Sequence, residues 1–166
     1  SAARIGRIVA MGGAVRDRGN VSPRSEFNMA CDPEAAAIVF GSDIETVLIP
    51  LDVTRQVRAD MTYCQSLTDC GTHASTTSAS LITAYFNSAG DGGRPESRPL
   101  HDPCVMLYAA APNLFELEAM NLDVDVSDGE DAGALGPGNM ALKVAVGVDT
   151  DKVLDLLRSG LTQNVS

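Results

Sequence analysis

Two short apolar runs constrain this chain more than any other feature. Arg7 to Met11 is rich in β-branched residues and stops at Gly12-Gly13, and Thr46 to Leu51 is a second run of the same kind. Each reads as a buried strand that runs into a loop. After a loop to about Ala30, Asp32-Pro33-Glu34 opens a helix over AAAIVF, and Gly41 ends it. Asp is a good N-cap, Pro suits the first helical position, and an acidic first turn matches the helix dipole. Strand, helix, strand in that order implies a parallel sheet.

The rest of the chain continues in the same manner. Asp52-Val53-Thr54 leads into a mixed helical stretch from about Arg55 to Leu67, and a further helix covers His73 to Asn87. That helix is rich in Ser and Thr, so packing must hold it. Residues 88–99 are Gly/Pro-rich and polar, which predicts a mobile surface loop. Asp102-Pro103 repeats the cap-plus-proline signal and starts a helix through Ala110, broken at Pro112. Strands are expected at Glu118 to Val126 and Met140 to Val148, around an acidic turn at Ser127 to Asp131, with a closing helix at Asp151 to Arg158. No internal repeat is visible. The 166 residues suit a single α/β domain with a mostly parallel sheet and helices on both faces.

Composition removes several functions. The formal net charge is −10, from 12 basic and 22 acidic residues. Such a field repels phosphate backbones and anionic membranes, so neither nucleic acid nor a membrane is an expected partner. No apolar run, Val47 to Leu51 included, approaches the roughly 18 residues a membrane span needs. Arg4 and Arg7 interrupt any secretory h-region, and the four cysteines lack CxxC spacing. A cytoplasmic location with reduced thiols is the expectation.

Three local patterns invite a chemical reading. Glu116 to Asp131 holds seven acids and no base, and Asp123, Asp125 and Ser127 imitate the start of an EF-hand. The imitation fails at Asp128, where the loop needs Gly, and at Ala134, where it needs Glu, which leaves a solvated acidic turn. Cys64, Cys70 and His73 lack a fourth ligand and the spacing of a zinc site. The third pattern is polar residues placed where buried strands end: Asn20, Glu26 and Asn28 after the first, and His101 and Asp102 ahead of a helix. Open parallel sheets bind ligands outside the carboxyl ends of their strands. The same residues also suit structural work, Asp102 as an N-cap, His101 as a loop residue, Glu26 and Asn28 as turn-formers.

Taken in order, Met11-Gly12-Gly13, Gly19-Asn20, Glu26-Phe27-Asn28, Asp32-Pro33-Glu34-Ala35-Ala36, Leu51-Asp52-Val53-Thr54 and His101-Asp102-Pro103 resemble the blocks of the inosine-uridine preferring nucleoside hydrolases. The resemblance covers essentially the whole chain. It implies a Rossmann-related α/β enzyme of purine and pyrimidine salvage. Such an enzyme cleaves the N-glycosidic bond of ribonucleosides and uses one calcium ion to grip the ribose and hold the attacking water. By the resemblance, Asp102 is a calcium ligand and His101 helps protonate the leaving base. Asn20, Glu26 and Asn28 bind ribose hydroxyls, and Met11 lines the sugar pocket. Tyr85, on the helix before His101, is a further pocket candidate, with a plain core aromatic as the alternative. The residue types suit this chemistry, because glycosidic cleavage develops positive charge on the sugar and negative charge on the base. Calcium accepts several hard oxygen ligands at once.

One departure is large. The family begins with a strand and an Asp-rich motif of the type DxDxGxDD, and nothing in residues 1 to 166 matches it. The chain therefore resembles the C-terminal half of such an enzyme, expected to be inactive without the N-terminal half as its partner. By the same resemblance, the complete enzyme is a homo-oligomer. The alternative is a noncatalytic nucleoside-binding or structural module that has lost its metal-binding half.

Overall fold

The computed structural model describes residues 5–87 and 96–163. Its core is built around β2 (Thr46–Ile49), in which all four residues are buried. Val47 and Ile49 point to one face, among Val53, Cys104, Leu107 and Val153. Leu48 points to the other, among Met29, Phe40, Leu122 and Val144. A strand covered on both faces reads as a continuous apolar run, and each of these side chains contributes about 1.5–3 kcal/mol by leaving water.

β1 (Ile8–Met11) pairs with β2 in parallel, Met11 opposite Ile49, and β2 pairs in parallel with β7 (Met140–Val148). β5 (Phe115–Val124) runs antiparallel to β7, and β6 (Leu135–Pro137) antiparallel to β5, giving the order β1-β2-β7-β5-β6. Four of these five strands thus share one direction, and β5 alone opposes them. α1 (Phe27–Cys31) and α2 (Pro33–Phe40) supply one covering layer. The other face carries α3 (Leu51–Thr54), α6 (Pro103–Ala110) and α7 (Thr150–Thr162), so helices lie on both faces as expected.

Several boundaries differ from the sequence-based expectation. The helix expected from Arg55 to Leu67 is divided, because β3 (Arg58–Asp60) pairs antiparallel with β4 (Ser97–Pro99) and α4 begins only at Met61 (Met61–Cys70). Asp60 caps α4 by accepting from the Tyr63 amide, and buried Ala59 lies between exposed Arg58 and Asp60. Three residues are too few for that alternation to stand out from a helical pattern. The pairing of Ser97–Pro99 also corrects the mobile loop placed over 88–99; its residues 88–95 lie outside the described residues. The loop expected up to Ala30 contains α1, and β6 was missed because Gly136 and Pro137 argue against a strand, although an edge strand tolerates Pro. α5 (His73–Asn87) falls where its sequence placed it.

Candidate functional site

The carboxyl ends of β1 and β2 lie side by side. The Gly12 amide donates to the Ile49 carbonyl and the Leu51 amide to the Gly13 carbonyl. Gly13 has φ 74°, and a Cβ there would run into Leu135, so this close turn requires glycine. Glu26 is buried beneath it at 2% exposure. Its Oε2 accepts from the amides of Gly13 (3.0 Å), Asn28 (2.9 Å) and Met29 (3.2 Å), so one carboxylate oxygen caps α1 and pins the end of β1. Asn20 Oδ1 accepts from the Phe27 amide at 2.8 Å, and Asn28 Nδ2 stands 3.4 Å from the carbonyl oxygen and Sδ of Met11. Met11, Asn20, Glu26 and Asn28 therefore form one cluster. The structural duty weighed for Glu26 is real, and it leaves Oε1 without a partner among the described residues.

His101 enters from the far side of the sheet's end. Its Nδ1 lies 2.7 Å from the hydroxyl of Thr54, a fully buried residue of α3. Burial holds the imidazole below its ordinary value; the Asp102 carboxylate opposes that shift, Arg55 adds to it, and the charges of Glu26 and Arg58 also reach the ring. Asp102 occupies the N-cap position of α6 but makes no capping bond there. Its exposed carboxylate has no hydrogen bond or ion pair among the described residues, so the capping role considered for it is not the one it plays. Cys104, in the first turn of α6, is no nucleophile: burial pushes its thiol up to about 12, and Sγ donates to the Leu100 carbonyl.

α3 connects the two groups. Asp52 accepts from the amides of Val15, Arg16 and Asp17, while Arg55 pairs with Asp17 at 2.6 Å and donates to the carbonyls of Arg18 and Gly19. At Gly19 a Cβ would collide with the Ser22 and Ser25 carbonyls, so the loop leading to Asn20 is tightly folded. Sequence reasoning assigned no role to Asp52, Thr54 or Arg55, although a polar D-x-T-R run directly after a buried strand carries the same signal that singled out Asn20. Tyr85 lies instead against β4, with the Arg98 guanidinium 4.7 Å from its ring centroid. It is 42% exposed, which removes the core-aromatic alternative. The acids of the 123–131 segment organise their own turns, Asp125 accepting from the Ser127 amide and Asp123 from the Asn139 amide.

Inosine-uridine preferring nucleoside hydrolases match residues 1–155. The chain belongs to this family. Among its relatives, a non-specific ribonucleoside hydrolase RihC of Salmonella paratyphi B is 34% identical, over 89% of this chain and 49% of the relative. A solved plant nucleoside hydrolase, the PpNRh1 enzyme, superposes with a TM-score of 0.89 at 28% identity, over 98% of this chain and 55% of its own. A purine-preferring ribonucleoside hydrolase from Gardnerella vaginalis does so at 0.82 with 32% identity, over 95% and 52%. The chain thus spans about half the length of the relatives it matches. Among the described residues no helix is long and apolar enough to cross a membrane, and none of the four cysteines forms a disulfide.

Proposed function

We propose that this chain is the ribose-binding and acid-supplying part of a nucleoside N-ribohydrolase that splits purine or pyrimidine ribonucleosides into base and ribose. The observation that carries the reading is that a buried carboxylate at Glu26 stands near enough for its charge to reach the half-buried imidazole of His101, whose Nδ1 is already engaged. Glu26 Oε1 and the amides of Asn20 and Asn28 can take both roles that ribose hydroxyls require, and Met11 offers an apolar wall. His101 Nε2 donates the proton that lets the base leave. Asp102 suits calcium in type, as a hard carboxylate oxygen with nothing else bound, but not in number. Among the described residues, no three His, Cys, Asp or Glu side chains gather to hold a metal ion. Asp102 is therefore one ligand of a shell completed by an Asp-rich segment outside this chain. Bound there, calcium supplies the charge that gathers the ribose diol and the attacking water.

The test is leaving-group dependence in the intact protein at saturating calcium. His101→Ala is expected to lower kcat for inosine by roughly 10² to 10⁴ and to cost far less on a nitrophenyl riboside, whose leaving group departs without the proton. Parallel losses on both substrates would remove His101 from the acid role. Tight inosine binding with no cleavage of any ribonucleoside would favour a noncatalytic nucleoside-binding module.

A further inference from the structure

Thr54 and His101 are 47 residues apart in sequence, yet their side chains meet at 2.7 Å, and Thr54 is wholly buried. The Thr54 backbone is fixed independently, its amide donating to the Pro50 carbonyl. A helical threonine commonly turns its hydroxyl back to a carbonyl of the preceding turn. Here the hydroxyl meets the imidazole. Valine has nearly the same shape and would fill this apolar surrounding equally well, so packing alone does not call for threonine. What valine cannot do is hold a ring nitrogen. The bond made by one imidazole nitrogen decides what the other carries.

We propose that Thr54 is the positioning residue for His101: its hydroxyl holds Nδ1–H, and Nε2 is thereby the nitrogen that protonates the leaving base. The inference rests on the proton-donor reading of His101 given above. The donating form is the imidazolium, protonated on both nitrogens: its Nε2–H bond breaks, an N–H bond forms on the base, which keeps the electron pair of the broken glycosidic bond, and the ring is left neutral. Nδ1 retains its proton, still donated to Thr54 Oγ1. The hydroxyl oxygen accepts that bond before and after the transfer, so the ring does not have to turn as its charge changes.

Nitrogen-15 spectra of the histidine-labelled protein, at a pH where both imidazoles are neutral, test this without turnover. His101 is expected to carry its proton on Nδ1, unlike exposed His73, which serves as the internal reference for a solvated ring. Thr54→Val is expected to return His101 to the His73 pattern, and Thr54→Ser to restore Nδ1–H. In the intact enzyme at saturating calcium, Thr54→Val is expected to lower kcat for inosine by on the order of 10-fold, with KM within about twofold and a nitrophenyl riboside little affected. Wild-type His101 showing the His73 pattern would overturn the proposal even if the valine variant fails to fold, and so would equal losses on the two substrates. A tautomer change in Thr54→Val combined with no leaving-group dependence in His101→Ala would overturn the proton-donor reading instead. An unchanged tautomer with that dependence intact would overturn the role of Thr54 alone.

Discussion

Glu26 and Asp102 are both carboxylates at the proposed site, yet their surroundings give them opposite physical characters. Glu26 is buried and bonded to three amides, and Asp102 is exposed with its carboxylate free. Glu26→Ala is therefore expected to strand buried N–H donors at about 1–3 kcal/mol, lowering Tm by roughly 3–10 °C in a thermal scan. Asp102→Ala is expected to leave Tm within about 2 °C of wild type in the absence of calcium, since exposed substitutions cost little. The metal shows the reverse order: calorimetric titration of the intact protein is expected to weaken with Asp102→Ala and to hold with Glu26→Gln, which keeps the side chain's size. A stable Glu26→Ala would refute the capping role. The sequence marked both residues because polar groups follow a buried strand. It could not separate them, since burial depends on where Gly13 and α1 come to rest.

Among the elements, four-residue α3 carries the most weight for its length. Asp52 at its start holds the loop of residues 15–17, Thr54 holds His101, and Arg55 just beyond it holds residues 17–19. Asp52→Ala is expected to speed amide exchange at residues 15–17 by at least about 10-fold while leaving the β2 amides protected, because local opening takes less free energy than global unfolding. The Arg55 clamp has a pH limit with a definite sign. Hydrogen bonding to Arg55 holds the Asp17 carboxyl below its ordinary value of 3.8. A carboxyl lowered in the folded state stabilises fully above its unfolded value, and that contribution is lost as pH falls through the lowered one. The protection of the 17–19 amides, corrected for the pH dependence of intrinsic exchange, is thus expected to stay flat from neutral pH down to about 4 and to fall only below it, less steeply at high salt where the exposed pair is already screened. Amide exchange recorded across that range checks the sign. The Asp-Pro signals placed α2 and α6 correctly, through cap and proline together at Asp32-Pro33 and through the proline alone at Pro103, because such signals act locally. β3 was illegible because it owes its existence to β4, distant in the chain, and β6 because Gly136 and Pro137 argue against a strand.

For the whole molecule, the five-stranded sheet leaves β1 at an edge, and apolar Ile38 and Met106 are 75% and 72% exposed. Residues 1–166 alone are expected to show neither a tight calcium site nor inosine or uridine hydrolysis, because calcium affinity rises with the number of charged ligands and no three His, Cys, Asp or Glu side chains gather among the described residues. Supplying the Asp-rich half of a relative is expected to restore both. A micromolar calcium site measured by calorimetry on these residues alone would contradict the account.

By itself the sequence determined the alternation of strands and helices, the two-sided burial of β2 and the positions at which polar groups leave the strands. These follow from local propensity, caps and hydrophobic period, all of which act over a few residues. Only the tertiary structure decided that β5 opposes its neighbours, that Glu26 is a buried cap, and that Asp102 leaves its cap unused. It also decided that Thr54 meets His101. Each of these depends on segments far apart in the chain arriving at one place, and no local pattern encodes a distance between Thr54 and His101; the packing of α3 and α6 on one face of the sheet sets it.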